Sequence, residues 1–306
     1  MQRRLTLTAP HEFRWEEVEL PPPSPGEIRV RTVLSAVSVS SELSVVRNGE
    51  THWRLGYQTL GVVEAVGVVE AVGADVALEV GVRVITTLGH SSAGIHRAER
   101  VFPVPDHVPD RQALAVILGE ETHKGVRKVA PGPQERVLVA GAGLLGLLSI
   151  FNLTRRGIEN VTVLEPDPER RELALAFGAV SAHAPGTLPH DAYDVGLECS
   201  ASPAGFTELL SHLGLGGRCC VLSDGNWGSL TLPPAFHTRE LSVVASSDGE
   251  EYGAYARWLW QHADPVLERL FAETIKPDDL PAAFTRLWDW PRPVSVVVDW
   301  TAVNSA

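Results

Sequence analysis

The segment spanning residues 136–165 constrains this chain more than any other. It opens with RVLVA (136–140), an apolar run of strand length. The run enters Gly141-Ala142-Gly143-Leu144-Leu145-Gly146, which fits G-x-G-x-x-G. An apolar helical stretch (144–156), a second strand (161–165, VTVLE) and a terminal acid, Glu165, follow. Gly141 permits a tight turn, Gly143 lets backbone approach a pyrophosphate, and Gly146 lets the helix pack close to the strand. The N–H groups that Leu144 and Leu145 bring to the helix start are suited to phosphate. Glu165 stands where an acid meets the adenosine ribose hydroxyls. The unit therefore predicts a bound dinucleotide and hydride chemistry. Glu165 also predicts NAD over NADP. Two unit charges ~4 Å apart at an effective dielectric of ~20 interact by about 4 kcal/mol, so a 2′-phosphate near the carboxylate is repelled. Pro166 and Asp167 cannot neutralise it, and Arg170 and Arg171, further along the next helix, are read as facing solvent.

Around this unit, strand and helix patterns alternate. Strands are expected at 194–198, 217–222 and 241–245, and helices at 168–177, 203–213 and 251–262. Such alternation predicts an α/β domain with a doubly wound parallel sheet covered by helices on both faces. The first 110 residues read as mostly β, with β-branched runs at 28–37 and 83–87 separated by Pro and Gly clusters, and the tail returns to a strand at 294–299. The expected organisation is a β-rich domain formed by 1–115 and 265–306, split around a Rossmann domain at 116–264.

A net charge of −12 lacks the basic footprint that nucleic acid or an anionic membrane surface needs, and no apolar run reaches the ~18 residues of a membrane span. Residues 1–10 have no apolar h-region, so no secretory signal is expected. Three cysteines, Cys199, Cys219 and Cys220, suit a reducing compartment, and a cytoplasmic location is expected. Cys219 and Cys220 are adjacent in a strand and are read as core thiols on opposite faces. No spaced Cys/His zinc motif is present. His90, His96 and Glu99 have only a loose metal-ligand spacing. GVVEAV occurs twice in tandem, at 61–66 and 67–72, followed by Gly73. Its even period predicts that the duplication preserves which side chains face the core.

Several segments together resemble the medium-chain dehydrogenases/reductases, the alcohol dehydrogenase-like superfamily. Pro25-Gly26-Glu27-Ile28-Arg29-Val30 resembles their "PGEVLV" strand. Glu79-Val80-Gly81-Val82-Arg83-Val84 resembles "kvGDrV", with Val82 in place of Asp. Cys199-Ser200-Ala201-Ser202-Pro203 resembles their "tGsp" turn, and 214–222 resembles "l.pgGrvvlvG". The resemblance covers essentially the whole chain. It implies a GroES-like catalytic domain split around the Rossmann domain, and it adds Thr122, Cys199 and Ser200 to the cofactor-binding residues. Within the superfamily, Val37-Ser38-Val39-Ser40-Ser41-Glu42, Leu55-Gly56-Tyr57-Gln58 and the closing Asp299-Trp300 resemble the bacteriochlorophyllide 2-desacetyl-2-hydroxyethyl dehydrogenases and their zinc-free relatives.

The departures bear on mechanism. Where zinc members carry their three ligands, this chain has Ser38, Tyr57 and Leu118, and the cysteine-rich structural-zinc lobe is absent. The relay His position is Leu43. No metal is expected, and hydrogen-bond donors must stabilise the developing alkoxide, at about 3–4 kcal/mol for one well-placed donor. The resemblance points to Tyr57 as donor or acid–base group, Ser40 as relay hydroxyl and Glu42 as the acid that tunes them. His123 follows Thr122 and could approach the nicotinamide, while Trp53 and Trp227 could line an apolar substrate pocket. The expected activity is hydride transfer between NAD(H) and an alcohol/carbonyl pair on a small molecule. An NADPH-linked quinone or enone reductase and a dinucleotide-binding sensor or structural protein without catalysis remain open. An apolar edge strand at 241–245 predicts a homodimer.

Overall fold

The strand expected at 28–37 forms at Glu27–Ala36, inside a mostly antiparallel sheet, and the C-terminal strand of the chain pairs with it. The structure, a computed structural model, describes residues 2–47, 64–87, 89–190, 192–223 and 229–302. The chain folds as two compact units, Met1–Val116 with Ala256–Ala306 and Ile117–Tyr255. The second crossing lies at 255/256, within a helix, where the sequence reading placed it after 264.

In the first unit a hairpin pairs β1 (Gln2–Ala9) with β2 (Glu12–Val18). The main sheet uses β3 (Glu27–Ala36), β4 (Ala65–Val72), β5 (Arg83–Thr86), β6 (Ala93–Arg97), β7 (Phe102–Pro103), β14 (Glu273–Ile275) and β15 (Val296–Asp299). Its order is β14-β15-β3-β4-β5-β7, with β6 also on β3. Strand β15 pairs antiparallel with β3, Val297 opposite Ala36, so the C-terminal segment completes a sheet begun by the N-terminal one. Among the described residues, α1 (Val39–Arg47), α2 (Asp110–Ala113) and α9 (Leu280–Arg286) accompany it. Leu5, Leu43, Phe284, Val298 and Trp300 share one core cluster.

Of the tandem repeat, residues 65–72 form β4, and 61–63 lie outside the described residues. Ala65 and Val66, from the first copy, are fully buried, whereas Val72 of the second copy is exposed. Glu64 is buried, while Glu70 reaches Arg29 (3.4 Å) and Arg31 (3.2 Å). Even spacing therefore does not give the copies equivalent surroundings. Register shifts against β3, between Arg29 and Val30 and between Thr32 and Leu34, break the alternation. Gly67 sits at a close approach where a Cβ would lie 2.4 Å from Val30 Cγ1 and 2.6 Å from the Arg31 carbonyl oxygen.

The second unit is a six-stranded parallel sheet of β8 (Val137–Ala140), β9 (Val161–Leu164), β10 (Ser181–His183), β11 (Tyr193–Glu198), β12 (Leu213–Val221) and β13 (Ser242–Ala245). The order β10-β9-β8-β11-β12-β13 is the 3-2-1-4-5-6 order of a doubly wound dinucleotide-binding sheet. Its helices are α3 (Val116–Val129), α4 (Leu144–Thr154), α5 (Pro168–Ala176), α6 (Pro203–His212), α7 (Pro234–Thr238) and the start of α8 (Tyr252–His262). Cys219 and Cys220 are both fully buried on β12, and all three cysteines are free thiols. Among the described residues, no helix is long and apolar enough to cross a membrane.

Candidate functional site

Strand β8 delivers the chain to Gly141, whose φ of +94° belongs to the left-handed region that favours glycine. A Cβ there would lie 2.9 Å from Ser200 Cα, at the end of β11. Gly143 begins α4 with no side-chain cap, so the first-turn N–H groups of the helix have no side-chain acceptor there, an arrangement suited to an anion. At Gly146 a Cβ would fall 1.9 Å from the Gly141 carbonyl oxygen, so the turn closes only with glycine. Leu144 is buried and Leu145 half-buried at this start.

Glu165 lies just past β9 and is buried. Its Oε2 accepts from the Ala142 N–H (2.7 Å) and its Oε1 from the Asp167 N–H (2.9 Å). The carboxylate thus braces the glycine turn and retains lone pairs for a ribose. Asp167 caps α5 through the N–H groups of Glu169 and Arg170. This cap places Arg170 on the first helical turn, and here the solvent-facing reading is corrected. Arg170 is half-buried, and its Nη1 lies 3.8 Å from where a Gly143 Cβ would be. Burial lowers its pKa, opposed by the charges of Glu165 and Asp167. Arg171 also turns inward, its Nη1 donating to the carbonyls of Glu165 (2.8 Å) and Pro166 (2.7 Å).

At the end of β11, Cys199 is packed beneath the loop, 3.6 Å from the Cβ position of Gly146, and burial pushes its thiol well up. Ser200 donates both its N–H (2.8 Å) and its hydroxyl to Glu198 Oε1. The hydroxyl of Ser223 donates to the other oxygen. Glu198 is fully buried and gathers these groups at the C-terminal edge of the sheet. Sequence reasoning missed it, because an acid closing an apolar strand carries no spacing signal of its own.

Thr122 is fully buried on α3. Its hydroxyl donates to the Gly119 carbonyl (2.9 Å) and accepts from Asn152 (2.9 Å), whose Oδ1 accepts from Tyr255 (2.9 Å). His123 joins a neighbouring cluster, with Nδ1 2.8 Å from Arg127 Nη1 and 3.2 Å from Glu120 Oε2.

In the first unit, Ser40 is exposed on the first turn of α1, whereas Glu42 is fully buried. Glu42 Oε2 accepts from the Ser38 N–H (2.8 Å), and its Oε1 lies 3.1 Å from His90 Nε2. Ser38 is itself buried and donates its hydroxyl to Ser41 (3.3 Å). His96 sits on β6, where burial lowers its pKa to about 4. Among the described residues, no three His, Cys, Asp or Glu side chains gather to hold a metal ion. Tyr57, Trp53 and Trp227 lie outside the described residues.

No protein-family model matches the chain. It is 28% identical over 227 residues to the L-threonine 3-dehydrogenase of Paraburkholderia phytofirmans, a match covering 67% of this chain and 62% of that protein. The L-threonine 3-dehydrogenase of Burkholderia cenocepacia is 27% identical over 229 residues, covering 67% and 63%. The chain thus spans under two thirds of the length of these relatives. Among solved structures, (2R,3R)-butanediol dehydrogenase from Bacillus subtilis superposes with a TM-score of 0.85 at 20% identity, covering 98% of this chain and 99% of that one. The fold is that of the medium-chain alcohol dehydrogenases. A short chain alcohol dehydrogenase from Escherichia coli CFT073, solved with NADH, gives 0.83 at 20% identity, with 97% and 99% covered. A protein described as a zinc-binding dehydrogenase from Sinorhizobium meliloti 1021, bound to NADP, also gives 0.83, at 16% identity, with 98% and 99% covered.

Proposed function

We propose that this protein is an oxidoreductase that transfers hydride between a nicotinamide dinucleotide and an alcohol/carbonyl pair on a small molecule. The observation that carries the reading is the turn at Gly141–Gly146, closed on itself and braced by Glu165 at an uncapped helix start. Bound there, the dinucleotide supplies or accepts the hydride, and the chain positions it. The first turn of α4 binds the pyrophosphate, Glu165 the adenosine ribose, and the backbone after Glu198 borders the same loop. NAD is the proposed cofactor. Arg170 moderates the repulsion of a 2′-phosphate, so NADPH binding is the outcome that would favour the reductase alternative.

The residues do not fit a catalytic zinc. Ser38 offers a hydroxyl already turned to Ser41, and Leu118 offers only hydrocarbon. No step of the proposed reaction runs through a metal. Ser40 and Tyr57 are the proposed donors to the substrate oxygen, and Glu42 positions the α1 turn. A zinc-free branch like the bacteriochlorophyllide dehydrogenases is consistent with this donor set. A second copy of the chain is the proposed partner, paired along β13.

Titration of the purified protein with NADH and NADPH, followed by turnover on an alcohol and aldehyde panel with metal analysis, tests the reading. Tight NADH binding with metal-independent turnover is expected. Dinucleotide binding without turnover on any substrate would favour the sensor alternative, and stoichiometric zinc would overturn the metal-free mechanism.

A further inference from the structure

Four side chains from distant parts of the chain meet in the first unit: Ser35 on β3, Glu42 on α1, His90 before β6, and Trp300 after β15. All four are at most 1% exposed. Their bonding order can be worked out from donor capacity. The indole N–H of Trp300 can only donate, and it donates to Ser35 Oγ (2.9 Å). The Ser35 hydroxyl hydrogen is then available to His90 Nδ1, 3.1 Å away. With that hydrogen donated, Nδ1 is the accepting nitrogen and the imidazole proton is left for Nε2, the nitrogen that faces a carboxylate. Nε2 faces the Glu42 carboxylate, 3.1 Å from Oε1 and 3.4 Å from Oε2. The ring is also held edge-on to Phe284, centroids 5.9 Å apart.

We propose that His90, held as its neutral Nε2–H tautomer by the Trp300–Ser35 pair, is the positioning residue of Glu42. It turns the buried carboxylate so that Oε2 receives the Ser38 N–H. This anchors the first turn of α1, on which Ser40 stands. The proposal rests on the hydride-transfer reading only for the role of Ser40. Without His90, Glu42 keeps the Ser38 N–H as its donor, in a place water does not reach. A carboxylate so placed moves towards another donor, and the Ser38 bond loosens with it.

The test uses the full chain labelled with 15N-histidine. Long-range 1H–15N correlation at neutral pH is expected to show His90, assigned by its loss in His90→Gln, protonated at Nε2 and bare at Nδ1. Ser35→Ala and Trp300→Phe are expected to abolish that single-tautomer signature. An Nδ1–H tautomer, or a signature unchanged in Ser35→Ala, would overturn the proposal. His90→Gln retains an N–H near the Nε2 position, whereas His90→Asn reaches only toward Ser35. Amide exchange at Ser38 is expected to stay near wild type in His90→Gln and to accelerate at least about tenfold in His90→Asn. Equal exchange in both variants would mean that the ring only fills space. In the kinetic arm, His90→Gln retains kcat and His90→Asn loses it, with NADH affinity unchanged in both. Wild type without turnover but with the expected tautomer and Ser38 behaviour would sink the oxidoreductase reading and leave the His90 assignment standing.

Discussion

Gly146 shows how far a single residue commits this chain. Its missing Cβ would overlap the Gly141 carbonyl oxygen at 1.9 Å, and the clashing atom is backbone, which cannot rotate away. Gly146→Ala is expected to open the turn, cost about 1–3 kcal/mol or more of stability and remove dinucleotide binding, as read by denaturant unfolding and NADH titration. Arg170 makes a sharper test because it touches selectivity. Its guanidinium lies near Gly143, with the charges of Glu165 and Asp167 close enough to act on it. In Arg170→Ala the acid acts without its countercharge. NADPH affinity is expected to fall at least about tenfold more than NADH affinity, a difference of ~1.4 kcal/mol; equal losses would show that Arg170 serves only the shared part of the two cofactors. The glycines were legible in the sequence because each meets a steric demand local to the turn. The placing of Arg170 was not, since it follows from the Asp167 cap that starts α5, and the pairing of Glu42 with His90 joins positions that no local pattern connects.

Helix α8 is held at its start by another element. Glu120, on α3, has no exposed side-chain surface, and its Oε1 accepts from the Glu251 N–H (3.0 Å) and pairs with Arg127 (3.1 Å). Burial alone would raise its pKa. Hydrogen bonds from His123, Arg127 and the Glu251 backbone, with the charge of Arg127, outweigh it and bring the value to about 2 from 4.5. A depressed carboxyl contributes stability above its unfolded pKa and loses it as pH falls through the folded one. The contribution, on the order of 3 kcal/mol, is therefore present above pH ~4.5 and fades towards pH ~2. Glu120→Gln is expected to be less stable than wild type at pH 7 by a few kcal/mol and to converge with it near pH 2–3 in denaturant titrations. Strand β4 carries a different expectation. Deleting residues 61–66 or 67–72 gives one and the same sequence, which retains glycine for the close approach at Gly67. The shortened protein is expected to melt within about 5 °C of wild type, whereas Gly67→Ala lowers Tm by more, because its Cβ meets the Arg31 backbone. Most elements of the second unit were legible because hydrophobic period and punctuation agree there. Helix α1 was not, for its start is a serine run whose helical state depends on the buried Glu42, and β10 is three half-buried residues without a period.

For the whole molecule, the sequence predicted a domain made from both ends of the chain, and the pairing of β15 with β3 joins those ends, with the Trp300 backbone N–H donating to the Val33 carbonyl (3.0 Å). The runs at 28–37 and 294–299 signalled two strands; that they are neighbours came from the resemblance, because pairing across so long a separation leaves no local trace. Assembly poses the remaining question at this scale. Among the described residues, strand β13 ends its sheet, with β12 as its neighbour on one side. Val244 on it is exposed, as is Leu215 on β12, and Leu230 and Leu232 expose further apolar surface in the same unit. An apolar edge of this kind is a template for another strand. Two copies related by a twofold axis would pair it antiparallel with itself. Light scattering is expected to return twice the 33.1 kDa chain mass. Val244→Lys places a charge on that edge and is expected to give monomers with NADH binding intact, since β13 lies three strands from β8 in the sheet order and takes no part in the glycine turn. A wild-type monomer across the micromolar range, or a dimer unaffected by Val244→Lys, would place the interface elsewhere or remove it.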